Sequence, residues 1–173
     1  MVLISMILAA VMTVVLFSDM CMADSGESQD AGNTGWLLIC SALVFIMSPG
    51  VALFYGGMIR KQSMTSVMAQ TVMVMGVMAV SWTIIGYSLA FSGDLNGIIG
   101  NFDKVLFSDM DVGTSEGMTE TGFALFQMTF ALITASIVLG ACMERIRFNA
   151  IVVFMAIWSI LVYAPMAHWV WGG

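Results

Sequence analysis

Apolar residues run almost unbroken through four long stretches of the chain, and a shorter polar segment separates each stretch from the next. At about 1.5 Å per residue, a helix of some twenty residues crosses a hydrocarbon core of roughly 30 Å. Backbone groups in lipid must be hydrogen-bonded within the segment, and runs this long and continuously apolar exclude barrel strands. The pattern therefore predicts four transmembrane helices, at about 36–58, 66–91, 122–143 and 148–170.

A further apolar run opens the chain and ends before an acidic segment. Residues 1–17 are apolar apart from Ser5 and Thr13, and a small-x-small pattern follows at Cys21 to Ala23. An apolar run in front of such a pattern predicts a signal peptide, here over residues 1–23. The run differs from a standard leader in its length and in having no Lys or Arg before it.

Composition removes several classes of function. Hydrophobic residues make up 60% of the chain and charged residues only 9%, which is too little polar surface to coat a water-soluble domain. Five basic residues in 173 argue against nucleic-acid binding. An odd number of cysteines and a single histidine indicate neither a disulfide framework nor a metal site.

The distribution of charge predicts an orientation in the membrane. Arg60 and Lys61 lie between the first two spans, and Arg145 and Arg147 lie between the third and fourth. The loop at 92–121 holds six acids and one lysine. Because positively charged short loops stay in the cytoplasm, the loop and the mature N-terminus are predicted to lie outside. The loop is rich in turn-forming residues, so we expect it to be irregular, with a short helix at about 98–106.

The third span carries a row of aromatic residues. Phe123, Phe126 and Phe130 lie at i, i+3 and i+7, which places them on one helical face with the last two a turn apart. Such a row usually faces lipid or a neighbouring helix. The other side of the span offers small residues four apart, Ala131 with Ala135, which allow close helix contact without the Phe face. The sequence therefore leaves two alternatives for the Phe face, contact with lipid and contact with a channel.

The fourth span ends in an aromatic segment that contains His168, Trp169 and Trp171. The predicted orientation places both Trp side chains near the outer interface, where an aromatic belt is the ordinary explanation. His168 could form a hydrogen bond there at little cost. The alternative is that one indole face holds a cation.

Three segments resemble the ammonium transporter family: PGVALFYGGMIRKQS at 49–63, ALFQMTFALITASIVLGACMERIRFNA at 124–150 and PMAHWVWGG at 165–173. The resemblance covers nearly all of residues 33–173 in order and spacing. It implies an all-α polytopic membrane protein whose protomer has eleven helices in two inverted repeats of five, assembled as a homotrimer with one narrow hydrophobic pore per protomer. Residues 24–173 would then be the N-terminal part of the transporter domain, with four of those helices and an incomplete pore.

The resemblance also implies roles for particular residues. Trp171, Phe126 and Phe130 would form an outer ammonium-binding vestibule, and Phe54 and Val51 would line the cytoplasmic end of the pore. Ammonium would be deprotonated at the vestibule, and ammonia would cross. A regulatory protein of the PII type is the implied partner. The family's twin pore histidines lie on later helices, and His168 is not one of them.

Three functions remain open at this point. The first is ammonium transport across the cytoplasmic membrane, by a carrier with no cofactor and no enzymatic activity, which the fragment alone would not support. The second is a role in an ammonium sensor of related sequence, coupled to a signalling domain. The third is a structural four-helix membrane protein that assembles with another chain. A soluble domain after the eleventh helix would distinguish the sensor from the transporter.

Overall fold

The computed structural model describes residues 31–95, 97–108, 110 and 119–172, and most of this part of the chain is helical. Within these described residues, four helices are long and apolar enough to cross a membrane. The prediction of a polytopic helical membrane protein is thus confirmed. The predicted signal peptide, 1–23, lies outside the described residues. The four helices are α1 (Ala31–Met58), α2 (Met64–Phe91), α3 (Glu120–Cys142) and α4 (Phe148–Gly172).

Three of the helices begin before the apolar runs do. Helices α1, α2 and α3 start at residues 31, 64 and 120, where the apolar pattern places the starts at about 36, 66 and 122. Thr119 explains one of these starts, because its side chain accepts a hydrogen bond of 3.1 Å from the Gly122 amide and caps α3. A helix can thus extend through polar residues that lie outside the hydrocarbon.

Consecutive helices run in opposite directions, so the molecule has two distinct ends. Short turns at 59–63 and 143–147 lie at one end, which we call the turn end. Residues 92–119 connect α2 to α3 at the other end, which we call the loop end. Helices α2 and α3 are central, whereas α1 packs across both of them and α4 packs mainly on α2.

Small side chains bring the helices close together. Ala131, Ala135 and Ser136 on α3 are fully buried. The ring of Tyr55 on α1 lies against Gly140, where an added Cβ would come within 2.2 Å of Cζ. These contacts agree with the prediction that the small-residue side of the third span packs against neighbouring helices.

Three π-helical turns interrupt the α-helical spans. One lies in α2 at Trp82–Gly86, and two lie in α4 at Ser159–Tyr163 and His168–Gly172. A π turn bonds residues five apart instead of four, so it rotates every side chain that follows it. The faces of α2 and α4 therefore do not follow a regular 3.6-residue period.

The loop end contains a short hairpin. Asp94–Leu95 pairs antiparallel with Ile99–Gly100, and Gly97 between them has a φ of +73° that suits glycine. A single 3-10 turn, Val105–Phe107, follows. The predicted short helix at about 98–106 is therefore wrong, because its first residues pair as a strand instead.

Candidate functional site

Phe126 and Phe130 form an edge-to-face pair on α3. Their ring centroids are 5.0 Å apart with an interplanar angle of 82°, and both side chains are half-buried. Hydroxyl groups on the same helix donate to their carbonyl oxygens, Thr129 to Phe126 at 2.6 Å and Thr134 to Phe130 at 2.7 Å. These hydroxyls are thus engaged with the backbone, and the pair is an apolar surface that is partly open.

Phe123 does not belong to this pair, although it shares the sequence row. Its ring packs edge-on against Phe91 of α2, with centroids 5.1 Å apart. Within the described chain, no ring contact joins it to Phe126. The aromatic row on α3 is therefore divided between the helix interface and the open pair.

Trp171 lies at the loop end of α4, and its side chain is 55% exposed. In the part of the chain that the structure describes, its ring touches neither Phe126 nor Phe130. Trp169, two residues earlier, donates from Nε1 to the Ile98 carbonyl at 2.7 Å. Both of these Trp side chains near the end of α4 are more than half exposed, but among the described residues only Trp169 has a hydrogen-bond partner.

The two residues predicted for the cytoplasmic end of a pore lie toward the turn end of α1. Phe54 is 63% exposed, and its ring contacts only the adjacent Tyr55 among the rings described, at 5.5 Å. Val51 is half-buried. Among the described rings, Phe54 makes no contact with Phe126 or Phe130.

A second aromatic group was not anticipated from the sequence. Trp82 is 2% exposed, and its ring makes edge contacts at 5.8 to 6.2 Å with three others. Its Nε1 donates to the Ala124 carbonyl at 3.2 Å. We call this group the buried aromatic cluster. Its members are Trp82, Tyr87, Phe91, Phe107, Phe123 and Tyr163.

The spacing of Trp82 and Tyr87 explains why the helical periodicity of the sequence does not predict this cluster. Trp82 and Tyr87 are five residues apart, which a regular α-helix would place about 140° apart around its axis. The π turn at Trp82–Gly86 removes this offset because it bonds residues five apart. Two aromatic residues five positions apart within an apolar segment are therefore the sequence signal that could have indicated this cluster.

A buried carboxylate lies beside this cluster at the loop end. Glu120 is 5% exposed and accepts a hydrogen bond of 2.8 Å from the Tyr87 hydroxyl. It also forms an ion pair with Lys104 from the loop. The described residues contain no group of three or more His, Cys, Asp or Glu that could hold a metal ion. Glu120 thus ties the loop to α2 and α3.

The single histidine is hydrogen-bonded, and it is buried at the loop end. His168 is 2% exposed, its Nδ1 is 2.9 Å from the Ala90 carbonyl oxygen, and its Nε2 is 3.5 Å from Oδ1 of Asp94. Ala90 belongs to the last turn of α2. His168 therefore joins the loop ends of α4 and α2.

Curated proteins described as ammonium transporters are similar to most of this chain. A putative ammonium transporter of Methanothermobacter thermautotrophicus is 41% identical over 149 residues, which is 83% of this chain and 36% of that protein. An ammonium transporter of Aquifex aeolicus is 40% identical over 165 residues, or 91% of this chain and 38% of that protein. The chain thus spans little more than a third of the length of these relatives.

The fold also matches solved structures. The crystal structure of Candida albicans Mep2 superimposes with a TM-score of 0.77 at 35% identity, covering 87% of this chain and 34% of that one. Residues 35–173 match the family described as the Ammonium Transporter Family. Sequence and fold thus agree over the four spans, and the chain belongs to the ammonium transporter family.

Proposed function

We propose that the whole protein moves ammonium across the cytoplasmic membrane and that ammonia crosses a hydrophobic path after deprotonation at an aromatic site. We call Phe126, Phe130 and Trp171 the vestibule residues of this site, with Phe54 and Val51 near the far end of the path. The observation that carries the proposal is the half-open Phe126–Phe130 pair. It lies on a span that contains no ionisable residue between Thr121 and Ala141.

The chemistry follows from the polarity of these surfaces. A cation against an indole face gains about 0.5 to 2 kcal/mol. Moving the same cation without its water into an apolar path costs far more. Desolvation lowers the pKa of an ammonium ion, so the proton leaves before the neutral molecule enters. The aromatic site attracts a cation at the mouth of the path, and the apolar path excludes charge. Together these two effects favour the passage of ammonia over that of metal cations.

The charge pattern supports an orientation for this path. Arg60, Lys61, Arg145 and Arg147 are all exposed in the two turns at the turn end. We place this end in the cytoplasm by the positive-inside rule, with the loop end and the mature N-terminus outside. The leader at 1–23 would deliver that N-terminus across the membrane.

The proposal concerns a longer protein than this chain. Since the chain covers 36% and 38% of the two relatives named above, the other helices of the path would come from sequence beyond it. We therefore expect the chain alone not to conduct ammonium. We also propose, from the family resemblance, a homotrimer and a PII-type regulator at the cytoplasmic face.

A sensor function has weaker support. A solved structure described as a sensor protein of related fold has a TM-score of 0.75, but at 24% identity it supports the fold alone. Transport is favoured because the relatives above 35% identity are described as transporters. A soluble domain appended to the full-length protein would favour the sensor instead.

The proposal is tested by uptake of labelled methylammonium into liposomes that carry the full-length protein. Replacing Trp171 by Leu removes the quadrupole that attracts the cation, so selectivity for methylammonium over potassium should fall about three- to tenfold. The matched control is Trp36→Leu, since Trp36 is 69% exposed on α1 and belongs to no predicted site. Its selectivity should equal that of the unmodified protein.

Two results would count against the proposal. Uptake by liposomes that carry only residues 1–173 would show that the path does not need further helices. Unchanged potassium selectivity in Trp171→Leu would remove Trp171 from the site.

A further inference from the structure

A buried hydrogen bond joins the loop end of α4 to the carbonyl of Ala90 in α2. The Ala90 carbonyl lies in the last turn of α2, which ends at Phe91, so no later helical amide reaches it. His168 is 2.9 Å away through Nδ1. Because a carbonyl can only accept, Nδ1 must carry the hydrogen and donate it. His168 therefore caps α2 from another helix, and both residues are buried.

Gly172 lies against the same carbonyl, beside His168. A Cβ at Gly172 would lie 2.0 Å from the Ala90 oxygen, which is well inside any real contact. Only glycine lets the α4 backbone approach so closely. The carbonyl of Ala90 is thus enclosed by the first and last residues of the π turn His168–Gly172.

Two weaker contacts attach this turn to the hairpin. The second ring nitrogen of His168 faces Asp94 at 3.5 Å, a contact that becomes an ion pair when the imidazole is protonated. Asp94 is more than half exposed, so water screens this contact. Trp169 donates to the Ile98 carbonyl at 2.7 Å. Both contacts help to fix the turn, but the buried bond to Ala90 is the principal one.

These contacts bracket Trp171, the one indole of the turn for which the described residues provide no hydrogen-bond partner. Trp171 lies between Trp169 and Gly172, which are both fixed, and its own ring makes no contact with another ring in the described chain. Its direction is therefore set by the backbone of the turn. We infer that His168 is a positioning residue that, through the Ala90 carbonyl, holds Trp171 in the orientation that binds the cation. This inference rests on the proposed function.

The experiment compares three substitutions at position 168 in the full-length protein, with methylammonium uptake measured against concentration. His168→Leu keeps bulk but loses the donor. His168→Asn places its amide nitrogen near the position of Nδ1, whereas His168→Gln places it near that of Nε2. A displaced indole weakens binding but leaves the path intact. We therefore expect the Leu and Gln variants to raise KM about three- to tenfold, with the maximal rate per folded protein unchanged.

The Asn variant is the matched control, because it differs from Gln by one methylene group. Its KM should stay within about twofold of the unmodified value, since it can still donate to Ala90. A merely structural role would lower the amount of active protein, and thus the maximal rate, without separating Asn from Gln. If His168→Leu fails to fold, the Asn and Gln pair decides. Equal KM values for these two variants would overturn the inference.

Trp171→Leu in the same assay separates this inference from the proposed function. If Trp171→Leu raises KM but no His168 variant does, the positioning role alone is wrong. If the unmodified protein shows no saturable uptake, or if Trp171→Leu leaves KM unchanged, the proposed site fails and the positioning role fails with it.

Discussion

Two groups of aromatic side chains in the described part of the molecule differ in how many contacts they make with other rings. In the buried aromatic cluster, Trp82 touches three rings and donates its indole N–H to a backbone carbonyl. Among the vestibule residues, Phe126 and Phe130 touch each other, and Trp171 has no ring contact in the described chain. The first group therefore has its surface occupied by protein, and the second group has surface to offer a ligand or another helix.

The contrast shows that residue type alone does not separate a buried aromatic side chain from an exposed one. Trp82 and Trp171 are the same residue, yet they are 2% and 55% exposed. Phe123 and Phe126 lie one turn apart on the same helix, yet only Phe123 joins the cluster. Occupied surface thus distinguishes the groups, and each prediction below alters one side of this comparison.

The largest effect is expected from Trp82→Leu. The substitution leaves a void among three rings and removes the hydrogen bond to Ala124. Lipid is as apolar as the core, so transfer from water contributes little and the loss comes from packing. We expect the free energy of unfolding to fall by about 2 to 4 kcal/mol. Denaturant titration of the full-length protein in mixed micelles measures this free energy of unfolding.

Trp171→Leu is the matched control for this measurement, because the same atoms are removed from an open side chain. Its free energy of unfolding should change by no more than about 0.5 kcal/mol. Equal losses in the two variants would abolish the distinction between the groups. Such a result would mean that Trp171 is packed in the full-length protein.

A smaller effect is expected at the polar edge of the cluster. Glu120 is buried and joins the Tyr87 hydroxyl to Lys104, so the rings are held by a charge as well as by packing. Lys104 is 21% exposed, and water weakens its attraction to Glu120. A double-mutant cycle of Glu120→Gln and Lys104→Met should therefore give a coupling energy of about 1 kcal/mol.

The choice of Gln keeps an acceptor for Tyr87, so that the cycle reports on charge alone. Unfolding of the two single variants and of the double variant in the same micelles supplies the four free energies. A coupling energy near zero would show that the ion pair with Lys104 does not help to hold the cluster.

Much of the fold could be predicted from the sequence because it follows from local properties. Four apolar runs of membrane length can only be helices in lipid, and the positions of Met58, Phe91 and Phe148 as helix bounds agree with the ends of those runs. The contact between Phe126 and Phe130 also follows from their spacing of four residues.

The remaining features depend on contacts between distant parts of the chain. His168 reaches a carbonyl 78 residues away, and Glu120 reaches Lys104 16 residues away. Neither pairing has a local pattern. The π turn at Trp82–Gly86 changes the helical period, so a search for a period of 3.6 overlooks the face that it creates. The hairpin likewise depends on Gly97, whose positive φ turns the chain.

The smallest effect, and the sharpest test of the comparison, lies in two phenylalanines one turn apart on α3. Phe123→Leu loses an edge contact with Phe91 and should lower the free energy of unfolding by about 0.5 to 1.5 kcal/mol, with unchanged KM for methylammonium. Phe126→Leu should cost less stability than Phe123→Leu but should change KM, because it alters the proposed site. Unfolding and uptake are measured on the same preparations. If both variants change the same property, then occupied surface does not separate structure from function on this helix.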